Sequence, residues 1–166
     1  MKVLYLLRHA KSSWDDPDMA DFDRPLNRRG RKAAKWMAEH MRANKIRPAV
    51  VLCSPAYRTR ETLDALAPVL DDAPVTFDPR IYEASHQTLL ARIGELPGTF
   101  DSALLIGHNP GLERLAMTLA SGEEPALHRV REKFPTCGLA ILVAGVDAWN
   151  NLKAGSCRLD DLVVPD

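Results

Sequence analysis

Five short apolar runs, at residues 2–7, 49–53, 75–77, 103–107 and 138–144, alternate with segments of helical periodicity along this 166-residue chain. Runs of this length bounded by turn residues suit buried strands, and strands alternating with helices give a layered α/β domain around a largely parallel sheet. A further edge strand is expected near 150–154. The first helix is expected to start at Asn27 as N-cap, since Gly30, Ala33, Ala34, Met37 and Met41 form one face at helical spacing. Ser54 with Pro55, and Asn109 with Pro110, read as cap and first helical residue of two further helices. Pro68 should end the first of these, and another helix should open near Ser85. Residues 11–26 and 121–136 are polar, proline-containing and aperiodic, so both read as long loops.

Bulk properties narrow the partners. Lys plus Arg equals Asp plus Glu, 22 of each, so no global field steers the chain to nucleic acid or to a membrane surface. No apolar stretch approaches the ~18 residues of a membrane-spanning helix, and no export signal is visible. Cys53, Cys137 and Cys157 match neither a zinc site nor a CxxC pair, which points to free thiols in a reducing cytoplasm. The run Arg28-Arg29-Gly30-Arg31-Lys32 reads as an exposed helix turn at this neutral overall charge.

Ligands of open α/β sheets bind beyond the carboxyl ends of the strands, so the residues following each strand form a candidate site. The first strand ends in Arg8-His9-Ala10-Lys11, and the second in Ser54-Pro55-Ala56-Tyr57-Arg58. The third leads to Tyr82-Glu83-Ala84-Ser85, and the fourth to Gly107-His108-Asn109-Pro110-Gly111. Two arginines, two histidines, a carboxylate and two helix N-termini thus fall on one rim. Guanidinium forks match phosphoryl oxygens, helix N-termini favour anions, and a neutral imidazole can attack phosphorus. Lys11 reads as a solvated loop lysine, Trp14 as a residue that could flank the site, and Ser54 and Asn109 first of all as caps.

Taken together, LLRHAKSSW, FDRPLNRRGRKAA, LCSPAYRTRET, YEAS, IGHNPGLE and FPTCGLA resemble the histidine phosphatase superfamily, the phosphoglycerate-mutase-like group, and within it the SixA-type phosphohistidine phosphatases. The resemblance implies a three-layer αβα sandwich with a mostly parallel sheet, and a single domain over 1–166 without a large helical insertion. It implies His9 as the nucleophile that becomes phosphorylated, with Arg8, Arg58 and His108 holding the phosphoryl group. Glu83 is the best match for the acidic proton donor of the family. Where many members read RHG, this chain has Ala10 followed by Lys11, the RHA form of SixA-like chains. No metal or other cofactor is implied.

The expected activity is removal of a phosphoryl group through a phosphohistidine on His9, from phosphohistidine in a protein such as a histidine phosphotransfer domain. A broad phosphomonoesterase or mutase-like phosphotransferase acting on small phosphoesters is the alternative, and a non-catalytic phospho-binding module a second one. The chain is expected to act as a cytoplasmic monomer or weak dimer, without nucleic acid or membrane as partner. An alkoxide leaving group needs a proton donor such as Glu83, whereas an imidazole leaving group can be protonated beforehand.

Overall fold

A computed structural model describes all 166 residues. Six strands form one sheet in the order β3-β2-β4-β1-β5-β6. They are β1 (Lys2–Arg8), β2 (Val50–Cys53), β3 (Val75–Phe77), β4 (Ser102–Gly107), β5 (Leu139–Ala144) and β6 (Cys157–Val163). The pairs β1–β4, β2–β4 and β2–β3 are parallel, while β5 runs antiparallel to both β1 and β6. Helices α1 (Arg28–Ala43) and α2 (Tyr57–Leu66) cover one face. The other carries α3 (His86–Gly94), α4 (Gly111–Leu119) and α5 (Pro125–Glu132).

Alternation along the central strands separates two cores. Leu6 and Leu105 pack with Leu89, Leu112 and Leu127, whereas their neighbours Leu7 and Leu104 pack with Met37, Met41 and Leu66. A strand buried on both faces reads as a continuous apolar run, which is why VVLC and ALLI showed no polar alternation.

Three expectations about elements are corrected. The edge strand lies at Cys157–Val163, and 149–151 is instead a 3-10 turn that buries Trp149 and lets its indole N–H donate to the Phe100 carbonyl at 2.9 Å. Strand β6 was masked by Asp160-Asp161, two acids in a row. A bulge absorbs them, since Ile141 pairs with Asp161 while Leu142 pairs with Leu159. The segment 121–136 is not all loop, because α5 starts at Pro125 and buries Ala126, Leu127 and Val130 beneath charged neighbours. Finally, α2 and α4 start at Tyr57 and Gly111, later than Ser54 and Asn109. Asn27 and Ser85 do cap their helices, accepting from Gly30 and Thr88 N–H respectively.

The N-terminus of α1 is wedged against the chain that leaves β1. The Asn27 N–H donates to the Lys11 carbonyl at 3.0 Å, and Gly30 lies so close that a Cβ there would stand 2.1 Å from that same oxygen. Alanine is the better helix former by about 1 kcal/mol, but a backbone collision of this kind outweighs that preference. Gly30→Ala is therefore expected to destabilise the protein by about 1–3 kcal/mol. A thermal midpoint lowered by about 5 °C would show it, and an unchanged or raised midpoint would refute it.

Candidate active site

Strand register assembles the site. Arg8 pairs with Gly107 across β1–β4, and Cys53 with Ile106 across β2–β4, so His9, His108 and Ser54 follow side by side. Because β5 is antiparallel to β1, its entry lies at this same edge. The Cys137 N–H donates to the carbonyls of Arg8 and His9 at 3.1 and 3.0 Å, which brings Phe134 and Thr136 to the site. A cavity of about 330 Å³ opens there, with Arg8, His9, Arg58 and His108 among its walls.

The two histidines are buried, and their rings lie 5.4 Å apart between centroids. The His9 Nδ1 is 2.7 Å from the Ala10 carbonyl, an acceptor only, so Nδ1 carries the hydrogen and Nε2 keeps its lone pair. The Ala10 N–H in turn donates to the Thr62 hydroxyl at 3.0 Å, which anchors this turn to α2. His108 Nε2 stands 2.7 Å from the Ser54 hydroxyl. That hydroxyl reaches no other acceptor, so it donates to Nε2 and the ring's own hydrogen sits on Nδ1. Ser54, read from sequence as a cap, thus orients a histidine.

Nδ1 of His108 has no partner in the protein, and neither do the buried Nε atoms of Arg8 and Arg58. Buried donors are almost always satisfied, so three unpaired ones on residues walling one cavity mark where an anion would bind. The remaining bonds of both arginines are fixed. Arg8 Nη1 donates to the Phe134 carbonyl at 3.0 Å, which also accepts from Asn109 Nδ2 at 2.9 Å. Arg58 donates to the Asp21 carbonyl at 2.8 Å and to its carboxylate at 3.1 Å.

Asp21 is the hub of a network not recognised from the sequence. It lies in a 3-10 turn (Asp21–Asp23) inside the 11–26 segment. Its carboxylate also accepts from the Tyr82 hydroxyl at 2.6 Å and from Arg24 Nε at 3.1 Å. Burial alone would raise its pKa, but the Tyr82 hydrogen bond and the Arg58 charge outweigh that and hold it at about 2. Burial also raises the Tyr82 hydroxyl above its ordinary value, with the Asp21 and Glu83 carboxylates adding to it. The Tyr82 ring meets His108 edge-on at 5.5 Å.

Arg24 is a third buried guanidinium at the cavity, bonded to the Ser12 hydroxyl at 2.6 Å and lying 3.6 Å from the Trp14 ring centroid. Its signal was the arginine of the FDRPL segment, which follows no strand and so escaped a search of strand ends. Lys11, Trp14 and Asn109 line the cavity too. Of the two helix starts, the wall includes Arg58 of α2 and Asn109 before α4. Glu83 is exposed, turns the chain at φ +53°, and does not border the cavity, whose wall contains no carboxylate at all. The Cys137 thiol is buried and pushed up to about 12, so beside His9 it is no competing thiolate.

Comparison with known proteins gives this geometry a family. Residues 4–142 match the model of the histidine phosphatase superfamily, branch 1. The chain belongs to that superfamily. An uncharacterized protein of Mycobacterium tuberculosis is 39% identical over 163 residues, covering 96% of this chain and 99% of that one. Among solved structures, a candidate phosphohistidine phosphatase SixA from Agrobacterium tumefaciens is 32% identical with a TM-score of 0.83, covering 99% of this chain and 98% of that one. Another, from Nakamurella multipartitia, is 26% identical with a TM-score of 0.86, covering 99% of this chain and 96% of that one. The chain is thus a SixA-type member with the phosphoglycerate mutase-like fold, and its family is one of phosphatases. No helix is long and apolar enough to cross a membrane.

Within this histidine phosphatase framework both imidazoles are held neutral. Burial lowers His9 to about 4, with the Arg58 and Arg8 charges adding to it, and burial lowers His108 to about 3, with His9 and Arg58 adding. An unfolded histidine takes its proton near ~6.5, so below that pH the unfolded chain binds more protons than the folded one. Stability contributed at neutral pH is therefore lost as pH falls from about 7 through the folded values of about 4 and 3, and Asp21, held at about 2, adds its own loss only below the ordinary carboxylate value of 3.8. Urea midpoints are expected to fall across that window, and less steeply in His108→Gln. Equal slopes for the two proteins would rule out a buried neutral His108.

Proposed function

We propose that this histidine phosphatase hydrolyses phosphohistidine in a protein, with His9 as nucleophile. The observation that carries the substrate reading is the composition of the cavity wall, which offers arginines, histidines, a lysine, two hydroxyls and one amide but no carboxylic acid. A phosphoester leaves as an alkoxide and needs a proton in the transition state, a contribution of typically ~10²–10⁴-fold from a placed acid. A phosphohistidine leaves as imidazole, whose nitrogen takes its proton from water at neutral pH. The wall is suited to the second reaction.

His9 Nε2 attacks phosphorus in line with the departing nitrogen. The imidazole is ready because it is neutral and because the Ala10 carbonyl fixes its tautomer. Arg8 and Arg58 donate through their free Nε–H groups to the equatorial oxygens, and His108 donates through Nδ1–H. Such positioned donors supply most of the catalysis in phosphoryl transfer. Asp21 keeps the Arg58 fork still, and its own charge is spent on arginines rather than facing the substrate. Water then attacks the phosphorus on His9, returning the neutral ring and releasing phosphate.

Turnover of a histidine phosphotransfer domain phosphorylated on histidine, measured beside sugar, glycerate and nucleotide phosphates, tests the reading. Higher kcat/KM on the phosphorylated domain is expected, and faster turnover of any small phosphoester would overturn it. His9→Ala should abolish all turnover and leave no acid-labile, alkali-stable phosphate on the protein. Glu83→Gln should keep phosphohistidine hydrolysis within about twofold, since a poor dependence on acid catalysis is what the leaving group implies.

A further inference from the structure

The cavity does not end at its own rim. A second hollow of about 270 Å³ shares Lys11 and Thr136 with it and extends to Arg29, Ala33 and Asp166. A third, of about 320 Å³, shares Arg29 and Asp166 with the second and continues to Lys32 and Trp36. The three hollows form one groove that follows α1 from its first turn. Arg29 to Trp36 alone covers about 10 Å at the α-helical rise.

Charge along this groove is one-sided. Lys11, Arg29 and Lys32 are exposed, and none takes part in an ion pair. Asp166 is the only acid on its walls and pairs with none of them. In a chain with equal numbers of acids and bases, four cations within the five residues Arg28–Lys32 are a local concentration, and two of them, Arg29 and Lys32, line the groove. They are also rigidly indexed to the nucleophile. Gly30 sits in the middle of that run and is the residue wedged against the Lys11 carbonyl, two residues after His9.

We infer that this basic groove is the docking surface for an acidic face of the phosphorylated protein, aligning its phosphohistidine with His9. The inference rests on the protein-substrate reading above. A single leaving imidazole would fill the first hollow only, whereas a surface of three hollows with Ala33 and Trp36 between cations fits the face of a folded partner. Rim charges of this kind act on encounter and on salt dependence more than on the chemical step.

The test uses the double variant R29E/K32E, whose positions lie outside the cavity around His9. The probes are an acidic histidine phosphotransfer domain phosphorylated on histidine, and free phosphohistidine. For the domain, kcat/KM is expected to fall at least about tenfold, carried by KM. The wild-type value should drop as salt rises from about 0.01 to 0.1 M, where the screening length shrinks from about 30 to 10 Å, and the variant's should not. Free phosphohistidine should be hydrolysed within twofold of the wild-type rate. If the wild type dephosphorylates the domain and the variant does so equally well, the groove assignment fails alone. A wild type that hydrolyses free phosphohistidine but not the domain removes the protein-substrate reading and the groove with it. Equal losses on both probes would show damage to the active site and overturn the docking role. An oligonucleotide bound by the wild type and released by R29E/K32E, with domain turnover unchanged, would give the groove to nucleic acid instead.

Discussion

Everything at the site depends on how β1 is paired. It has a parallel neighbour on one side, with Arg8 opposite Gly107, and an antiparallel neighbour on the other, with Leu7 opposite Leu139. The parallel side delivers two strand ends to one edge. The antiparallel side delivers a strand beginning, so the Phe134 carbonyl can hold Arg8 and Asn109 together. A slip of one residue in either pairing would turn Arg8 and His9 to opposite faces and dismantle the arrangement.

That geometry explains what could be read from the chain and what could not. Residues following parallel strands were legible, because runs such as VLYLL and ALLIG are recognisable and their exits share an edge. Arg8, His9, Arg58 and His108 were found this way, and they do wall one cavity. Thr136 and Phe134 precede a strand, so a rule that looks beyond strand ends passes over them. Arg24 and Asp21 sit in a segment without periodicity, and only tertiary hydrogen bonds join them to Arg58 and Tyr82. Helix α5 was missed because eight residues with three buried positions give little periodic signal, and β6 because a bulge interrupts its alternation. Glu83 was found by motif, yet a left-handed turn leaves it exposed outside the wall.

Protonation at the site is set by neighbours that never touch a substrate. The Ala10 carbonyl and the Ser54 hydroxyl engage opposite ring nitrogens of two histidines that share the Nδ1–H tautomer, so His9 is left with a free Nε2 lone pair and His108 with a free Nδ1 hydrogen. Burial and nearby guanidinium groups then keep both rings neutral. The same guanidinium groups would be mutually repulsive without a counterion, and Asp21 supplies it to Arg24 and Arg58 at once. A chain of zero net charge can therefore hold a strongly cationic hollow, provided the compensating carboxylate faces away from it.

Phosphatases that rely on a cysteine thiolate carry a nucleophile that peroxide readily oxidises. Here Cys137, whose N–H bonds the carbonyls of Arg8 and the proposed nucleophile His9, has a buried thiol that stays protonated far above neutral pH. Cys53 is likewise buried and raised to about 12. Neither sulfur offers the exposed thiolate on which redox control acts. A chain built in this way would keep its catalytic competence through oxidative stress that silences thiol-based counterparts.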